Sequence, residues 1–282
     1  MRAAIGPGEP FPPAWWRHVS IERLECIARI INTLDAGVVG LQEVAFFDVD
    51  GEVVDQPTEL GRLTGRAVHY AAVHAFALVE PETGRAVGSA TWGNAILTRE
   101  PVRAGFAHDL PLGADDALVE PAGSDLPLAG VTFADAPDGV REPRCVVGAR
   151  IDYDGHAIDV LATHLTYAGT AQRRGQSDEL ARLARDTRAA VVVLGDLNAP
   201  IDAPELQSLT ASLDDAFAAA GIPPGDPRRR SCGPWPIDHV LTRDLDVEDC
   251  HVDQRAGDAS DHLPVLATLR HRSCSRSSRR AT

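Results

Sequence analysis

The chain reads as an α+β sandwich, packed β-sheets with helices on their outer faces, and three observations predict it. Apolar runs of strand length recur along most of its 282 residues. A few segments with helical spacing interrupt them, and Asp154-Gly155 stands between two of the runs as a hairpin signal. The hydrophobic share of 44% is enough for a sizeable core, and length alone admits one domain or two.

Taken in order, residues 1–10 (MRAAIGPGEP) are rich in Gly and Pro and carry no strand pattern. Ser20 suits a helix N-cap, with Glu22 in the first turn to complement the helix dipole. Leu24, Ile27, Ile31 and Leu34 follow on one face, and Gly37 ends the helix. Strands are then expected over residues 38–44 (VVGLQEV), 69–79, 94–99, 144–151, 157–165, 190–198 (AVVVLGDLN), 237–243 and 264–270. Helices are expected over 172–188, with Leu180, Leu183 and Ala184 on one face, and over 203–213. Residues 104–140 hold no Lys or Arg and read as a long acidic loop; the segment from Arg270 onward is basic and Ser-rich and reads as a disordered tail.

Composition limits the function classes. The net charge is −14, and all 27 basic residues apart from His are arginines. A protein that grips nucleic acid by its backbone shows a basic face, so long duplex DNA is disfavoured as a partner. No apolar stretch of about eighteen residues is present to span a membrane. The five cysteines are scattered without a C-x-x-C pair, which fits free thiols in a reducing, cytoplasmic setting.

The informative pattern is polar residues standing where apolar runs end. Gln42 and Glu43 follow residues 38–41, and a carboxylate there must be paired, hydrogen-bonded or bound to metal. Asp196 and Asn198 lie two apart, on one side of an extended chain, after the 190–194 run. His164 closes its run, Asp238 and His239 open another, and Asp261 and His262 stand just before the last. Singly, each has a bland reading: a surface carboxylate, a capping turn, a core histidine. Their recurrence at strand boundaries is what favours a shared site.

These segments resemble the endonuclease/exonuclease/phosphatase superfamily. The matching pieces are LQEV (41–44), GNAILTR (93–99), EPR (142–144), THL (163–165), GDLNA (195–199), IDHV (237–240) and SDHLPV (260–265), with an R-x-x-Q pair at Arg173 and Gln176. The resemblance runs from Ser20 to Arg270. It implies one domain over 1–270 followed by the tail 271–282, and two packed mixed β-sheets flanked by helices: a four-layer α/β/β/α sandwich with the site at one edge. It also implies a monomeric, divalent-metal-dependent phosphoric ester hydrolase, with Mg²⁺ as cofactor and Mn²⁺ as a substitute. Carried over, Glu43 binds the metal and Asp261 is a second metal carboxylate. Asp196 positions or deprotonates the attacking water, and Asn198 holds the phosphate. Asp238 fixes the tautomer of His262, while His164 and His262 contact phosphate oxygens. Arg144 and Asn94 face the substrate phosphate. Short or single-stranded nucleic acid is the competing substrate class.

One departure stands out. The family's first strand, ending in an asparagine metal ligand, has no counterpart in residues 1–19, where no asparagine occurs. Either the chain starts late, and an upstream segment carries that strand and any signal peptide, or the ligand is lost. The second case would make the protein a noncatalytic binder that keeps the fold.

Overall fold

The computed structural model describes residues 16–49, 51–79, 85–112, 132–133, 143–167 and 169–272. Its elements are, in chain order, α1 (Trp16–Leu34), β1 (Val38–Val49), β2 (Glu52–Asp55), α2 (Gln56–Thr64), β3 (Ala67–Val79), β4 (Ala86–Thr98), β5 (Val102–Asp109), β6 (Thr132–Phe133), β7 (Cys145–Tyr153), β8 (His156–His164), α3 (Thr170–Asp186), β9 (Ala190–Asp196), α4 (Gln207–Thr210), β10 (Asp214–Asp215), α5 (Ala216–Ala219), β11 (Asp238–Arg243), β12 (Leu245–Val252) and β13 (Val265–His271). Short 3₁₀ segments precede α4 (Pro204–Leu206), follow α5 (Pro227–Arg229) and separate β12 from β13 (Gln254–Ala259).

Two sheets form the sandwich. The first runs β2-β1-β4-β3-β6 and is antiparallel throughout. The second runs β10-β11-β9-β8-β7-β5 and is mixed, because β8 and β9 pair in parallel. A parallel pair needs a crossover, and α3 supplies it. Strands β12 and β13 make a separate antiparallel ribbon. Asp154 and Gly155, both at positive φ, turn β7 into β8 as the sequence predicts.

Side-chain alternation sorts the core into layers. Ile96, Val147, Ala149, Val160 and Ala162 fill the space between the sheets. Leu24, Ile27 and Ile31 of α1, with Leu60 of α2, cover the outer face of the first sheet over Leu41 and Leu97. Leu180 and Ala184 of α3, with Leu206 and Leu209, cover the second sheet over Leu161, Val191 and Val193. Contact between the sheets is close at Gly40, where a Cβ would sit 2.9 Å from that of Leu194.

The structure moves several expected boundaries. Helix α1 begins at Trp16, so Ser20 is inside it rather than its cap, and it ends at Leu34 with Asp35 at φ 56°, before Gly37. The helix expected over 203–213 is a 3₁₀ turn and one α-helical turn. Strand β5 takes residues 104–109 from the expected acidic loop, and the short pair β6 lies further along it; most of the remainder falls outside the described residues. Strands β2 and β12 and helix α2 have no counterpart in the sequence reading. β12 is laced with Asp and Glu on its open face and so lacks an apolar run. At the other end β13 reaches His271, and Arg272 bonds to Asp214 at 2.7 Å and Asp246 at 3.2 Å.

Candidate active site

Register assembles the site. His164 pairs with Asp196 across the parallel β8/β9 ladder, and Asp196 pairs with Asp238 across β9/β11. The three residues therefore stand side by side on adjacent strands. They share the alternation of Ala162, Leu194 and Val240, two residues away on the same strands. For His164 and Asp196 that is the side of the sheet that meets Gly40 of β1. His164 Nε2 lies 3.4 Å from Asp196 Oδ2.

Local turns lock that row. Asn198 takes φ 51°, a left-handed conformation that Asn tolerates better than most residues. Its backbone N–H donates to Asp196 Oδ1 at 2.8 Å, and its side-chain amide donates to the Leu165 carbonyl at 2.8 Å. The exits of β8 and β9 are thus tied together. Arg173 and Gln176 on α3 hold the segment after His164. Arg173 donates to the Thr166 and Tyr167 carbonyls (3.0 and 3.1 Å) and to Glu205 (2.8 Å), and Gln176 Oε1 accepts from Thr166 N–H at 2.9 Å.

His262 reaches the row from the loop before β13. Its backbone N–H donates to Ser260 Oγ at 3.1 Å, and the next residue, Leu263, donates to the Ser231 carbonyl at 2.7 Å. Its Nδ1 lies 2.7 Å from Asp238 Oδ2, and its Nε2 lies 3.9 Å from Asp196 Oδ2. Ser231 Oγ donates to the same Asp238 oxygen at 2.6 Å. Sequence reading missed Ser231. It lies seven residues before Asp238 in an Arg-rich turn, and only the chain reversal at 232–235 brings it back. His239 was paired with Asp238 in the sequence, but it points away from the site. It is buried, and its Nε2–H donates to the Ala199 carbonyl at 2.9 Å.

Glu43 reaches the same edge by a different route. β1 and β4 slip register between Leu41 and Val44, which makes Gln42–Glu43 a bulge opposite Asn94. Asn94 is buried and donates to the Cys145 carbonyl at 3.1 Å, the oxygen that also accepts from Thr163 Oγ1 at 3.0 Å. The bulge is therefore level with the start of β7 and the end of β8. Arg144, buried, lies just before β7, and its carbonyl accepts from Leu110 at 2.8 Å. Asp261 is exposed beside His262.

Electrostatics set the protonation of the row. Burial, then the neighbouring Asp238 carboxylate, pushes the Asp196 carboxyl up to about 7. Burial acts on Asp238 in the same sense, but the hydrogen bond and charge of His262, with the Ser231 hydroxyl, outweigh it and hold Asp238 below its ordinary value. Burial disfavours the His262 imidazolium, yet the Asp238 hydrogen bond and charge raise its pKa overall. Burial lowers that of His239, which is a neutral core residue.

The donors at this edge fit a hard divalent ion. Ligand atoms of Asp196, Asp238 and His262 lie within 4.8 Å of one another, the acidic and histidine group among the described residues that is tight enough to share an ion. Glu43 and Asp261 are outside that group. Asp238 Oδ2 already accepts from Ser231 and His262. Burial pushes the Cys145 thiol up to about 11, so in the metal-free protein it is protonated.

Glu43 also has an unusual backbone, at φ 54°, where a non-glycine side chain costs about 1–2 kcal/mol. Such strain persists where a side chain is needed in one place. Glu43→Gly is therefore expected to be no less stable than wild type in EDTA, although glycine inside a strand ordinarily costs about 0.5–1 kcal/mol. Urea melts with and without EDTA check this; a loss above about 1 kcal/mol in EDTA would contradict the strain.

Residues 21–262 match the sequence model of the Endonuclease/Exonuclease/phosphatase family. The chain belongs to that family. Endonuclease/exonuclease/phosphatase proteins include phosphodiesterases, nucleases and phosphatases and are typically divalent-metal dependent. The chain is 28% identical over 112 residues to UPF0294 protein VV2535 of Vibrio vulnificus (strain YJ016), a match that covers 40% of this chain and 38% of that protein. Its fold is similar to an endonuclease/exonuclease/phosphatase from Beutenbergia cavernae (TM-score 0.61, 24% identity, 88% of this chain and 66% of that one). It is also similar to the human Nocturnin catalytic domain (TM-score 0.59, 16% identity, 89% and 86%), a structure with bound sulfate. At these identities the structural likeness is one of fold. Among the described residues no helix is long and apolar enough to cross a membrane.

Proposed function

We propose that the protein is a Mg²⁺-dependent hydrolase of phosphate esters, with Mn²⁺ able to substitute. The observation that carries the reading is the row His164–Asp196–Asp238 on three adjacent strands, with His262 held on Asp238 at 2.7 Å. Glu43 would hold the ion, with Asp261 as its second carboxylate. When bound, the ion neutralises non-bridging phosphate oxygens and acidifies the attacking water.

The chain's own residues do the rest. Asp196, with a carboxyl poised at about 7, orients the water and accepts its proton. Asn198 holds the phosphate beside it. Asp238 favours the charged form of His262 and fixes its ring, so that Nε2 faces the site and donates to a phosphate oxygen. His164 and Arg144 contact oxygens of the same phosphate, with Asn94 set at the edge by its bond to the Cys145 carbonyl.

The test is a panel of phosphomonoesters and phosphodiesters with Mg²⁺. His262→Ala is expected to lower turnover by about 10²–10⁴-fold, and EDTA to abolish it. Equal inertness of wild type and His262→Ala, indifferent to EDTA, would overturn the reading.

A further inference from the structure

The two most exposed large apolar side chains among the described residues are Trp235 (60%) and Tyr167 (56%). Both are anchored at the sheet edge that carries the candidate site. Tyr167 lies three residues beyond His164, past the end of β8. Trp235 lies three residues before Asp238, ahead of β11. Strand β9, ending in Asp196, runs between them. Neighbouring strands are about 5 Å apart, so the two aromatics are rooted on strands roughly 10 Å apart, with the phosphate-facing row between their anchors.

Neither is a loose surface residue. The Trp235 carbonyl accepts from Ser231 and Cys232 N–H (3.2 and 3.1 Å), and its own N–H donates to the Cys232 carbonyl at 2.8 Å. Pro234 and Pro236 flank it, and Gly233 takes φ 52° in the turn. Ser231 is the residue that also holds Asp238. The Tyr167 carbonyl is held by Arg173. An exposed Trp adds no burial to the fold, whereas an aromatic on a backbone this constrained loses little entropy when a ligand covers it.

We propose that Tyr167 and Trp235 form a stacking rim on either side of the His164–Asp196–Asp238 row, and that the substrate is a phosphate ester of a planar ring, with a nucleotide base as the natural form. Rings stack on a flat π-face, which suits Trp and Tyr better than an aliphatic chain does. The inference rests on the phosphoesterase reading and adds what lies beyond the phosphate.

The experiment measures binding rather than turnover. Intrinsic Trp fluorescence and calorimetry are used to titrate AMP, ribose 5-phosphate and octyl phosphate into the Asp196→Asn protein with Mg²⁺. AMP is expected to bind about 10-fold more tightly than ribose 5-phosphate and to quench fluorescence. Adding Trp235→Ala should bring the AMP to ribose 5-phosphate ratio to near one, while Trp235→Phe, which keeps a ring, retains most of it. Tyr167→Leu should lower the ratio independently, should Trp235→Ala fail to fold. Equal binding of AMP and ribose 5-phosphate to the parent would overturn the rim and leave the phosphoesterase reading standing. Tighter binding of octyl phosphate than AMP would overturn the planar ring in favour of an aliphatic group. Binding of none of the three would overturn both.

Discussion

Asp196→Asn is expected to lower phosphoesterase turnover by about 10³-fold and, in the same protein, to raise stability at pH 8 in EDTA. Both effects come from one buried carboxyl. Asp196 is 4% exposed, and its folded-state pKa is pushed from an ordinary 3.8 to about 7, by burial first and by Asp238 second. A carboxyl raised in this way binds its proton more tightly when folded than when unfolded. Its stabilising protonation is complete below 3.8 and is lost as pH rises through 7, so at pH 8 the folded protein carries a poorly solvated charge beside a second carboxylate. Asparagine removes that charge and can still accept the Asn198 N–H bond. The stability gain should therefore vanish at pH 3 and grow between pH 4 and pH 7. Thermal melts of both proteins across that range, in EDTA so that ion binding does not offset the repulsion, give the comparison. A variant less stable at pH 8 would show that the Asp196 carboxyl is not strained, and an equally active one that it is not the water-orienting base.

Asp215→Ala is expected to lose about 3–5 kcal/mol of folding stability, with turnover per folded molecule unchanged. Arg229 is 1% exposed, bonds to Asp215, donates to the Ile222 carbonyl at 3.0 and 2.7 Å, and lies 5.0 Å from the Phe217 ring centroid. Removing the carboxylate leaves a guanidinium buried without its counter-charge. It also removes the N-cap of α5, since Asp215 Oδ1 accepts from Phe217 N–H at 3.2 Å, a cap that typically contributes about 1 kcal/mol. The pair lies at the far end of β11 from Asp238: Asp215 pairs with Leu241, while Asp238 faces Asp196. Adding Arg229→Met to Asp215→Ala should recover much of the loss, because no charge then remains to be compensated. Urea denaturation measures all three. A single-variant loss below about 1 kcal/mol would mean that Arg229 reaches water when its partner is gone.

Much of this arrangement was legible before any coordinates. Strands with apolar cores declared themselves by composition: residues 190–194 are uninterrupted aliphatics and become the buried β9, and Asp154-Gly155 marks the β7–β8 hairpin. The candidate site residues stood out by being polar at the ends of those runs, where burying an unpaired charge is costly. The pairing of Asp238 with His262, 24 residues apart, followed from family likeness and appears as a 2.7 Å contact. Elements without an apolar signature were invisible: β12 carries acidic residues along its open face, and β5 is exposed along most of its length.

What the sequence determined by itself was the set of chemical groups and the strands that carry them, because apolar periodicity and abrupt polarity are local properties. Tertiary structure alone decided which of those groups meet. The parallel register of β8 and β9 sets His164 beside Asp196, the reversal at 232–235 brings Ser231 onto Asp238, and the β1 bulge turns Glu43 to a backbone angle that no local rule predicts. It also separated the adjacent pair Asp238 and His239, sending one to the site and the other into the core, because neighbours on a strand face opposite ways. Register is a property of two strands at once, and burial a property of the whole sandwich, so neither can be read from one segment.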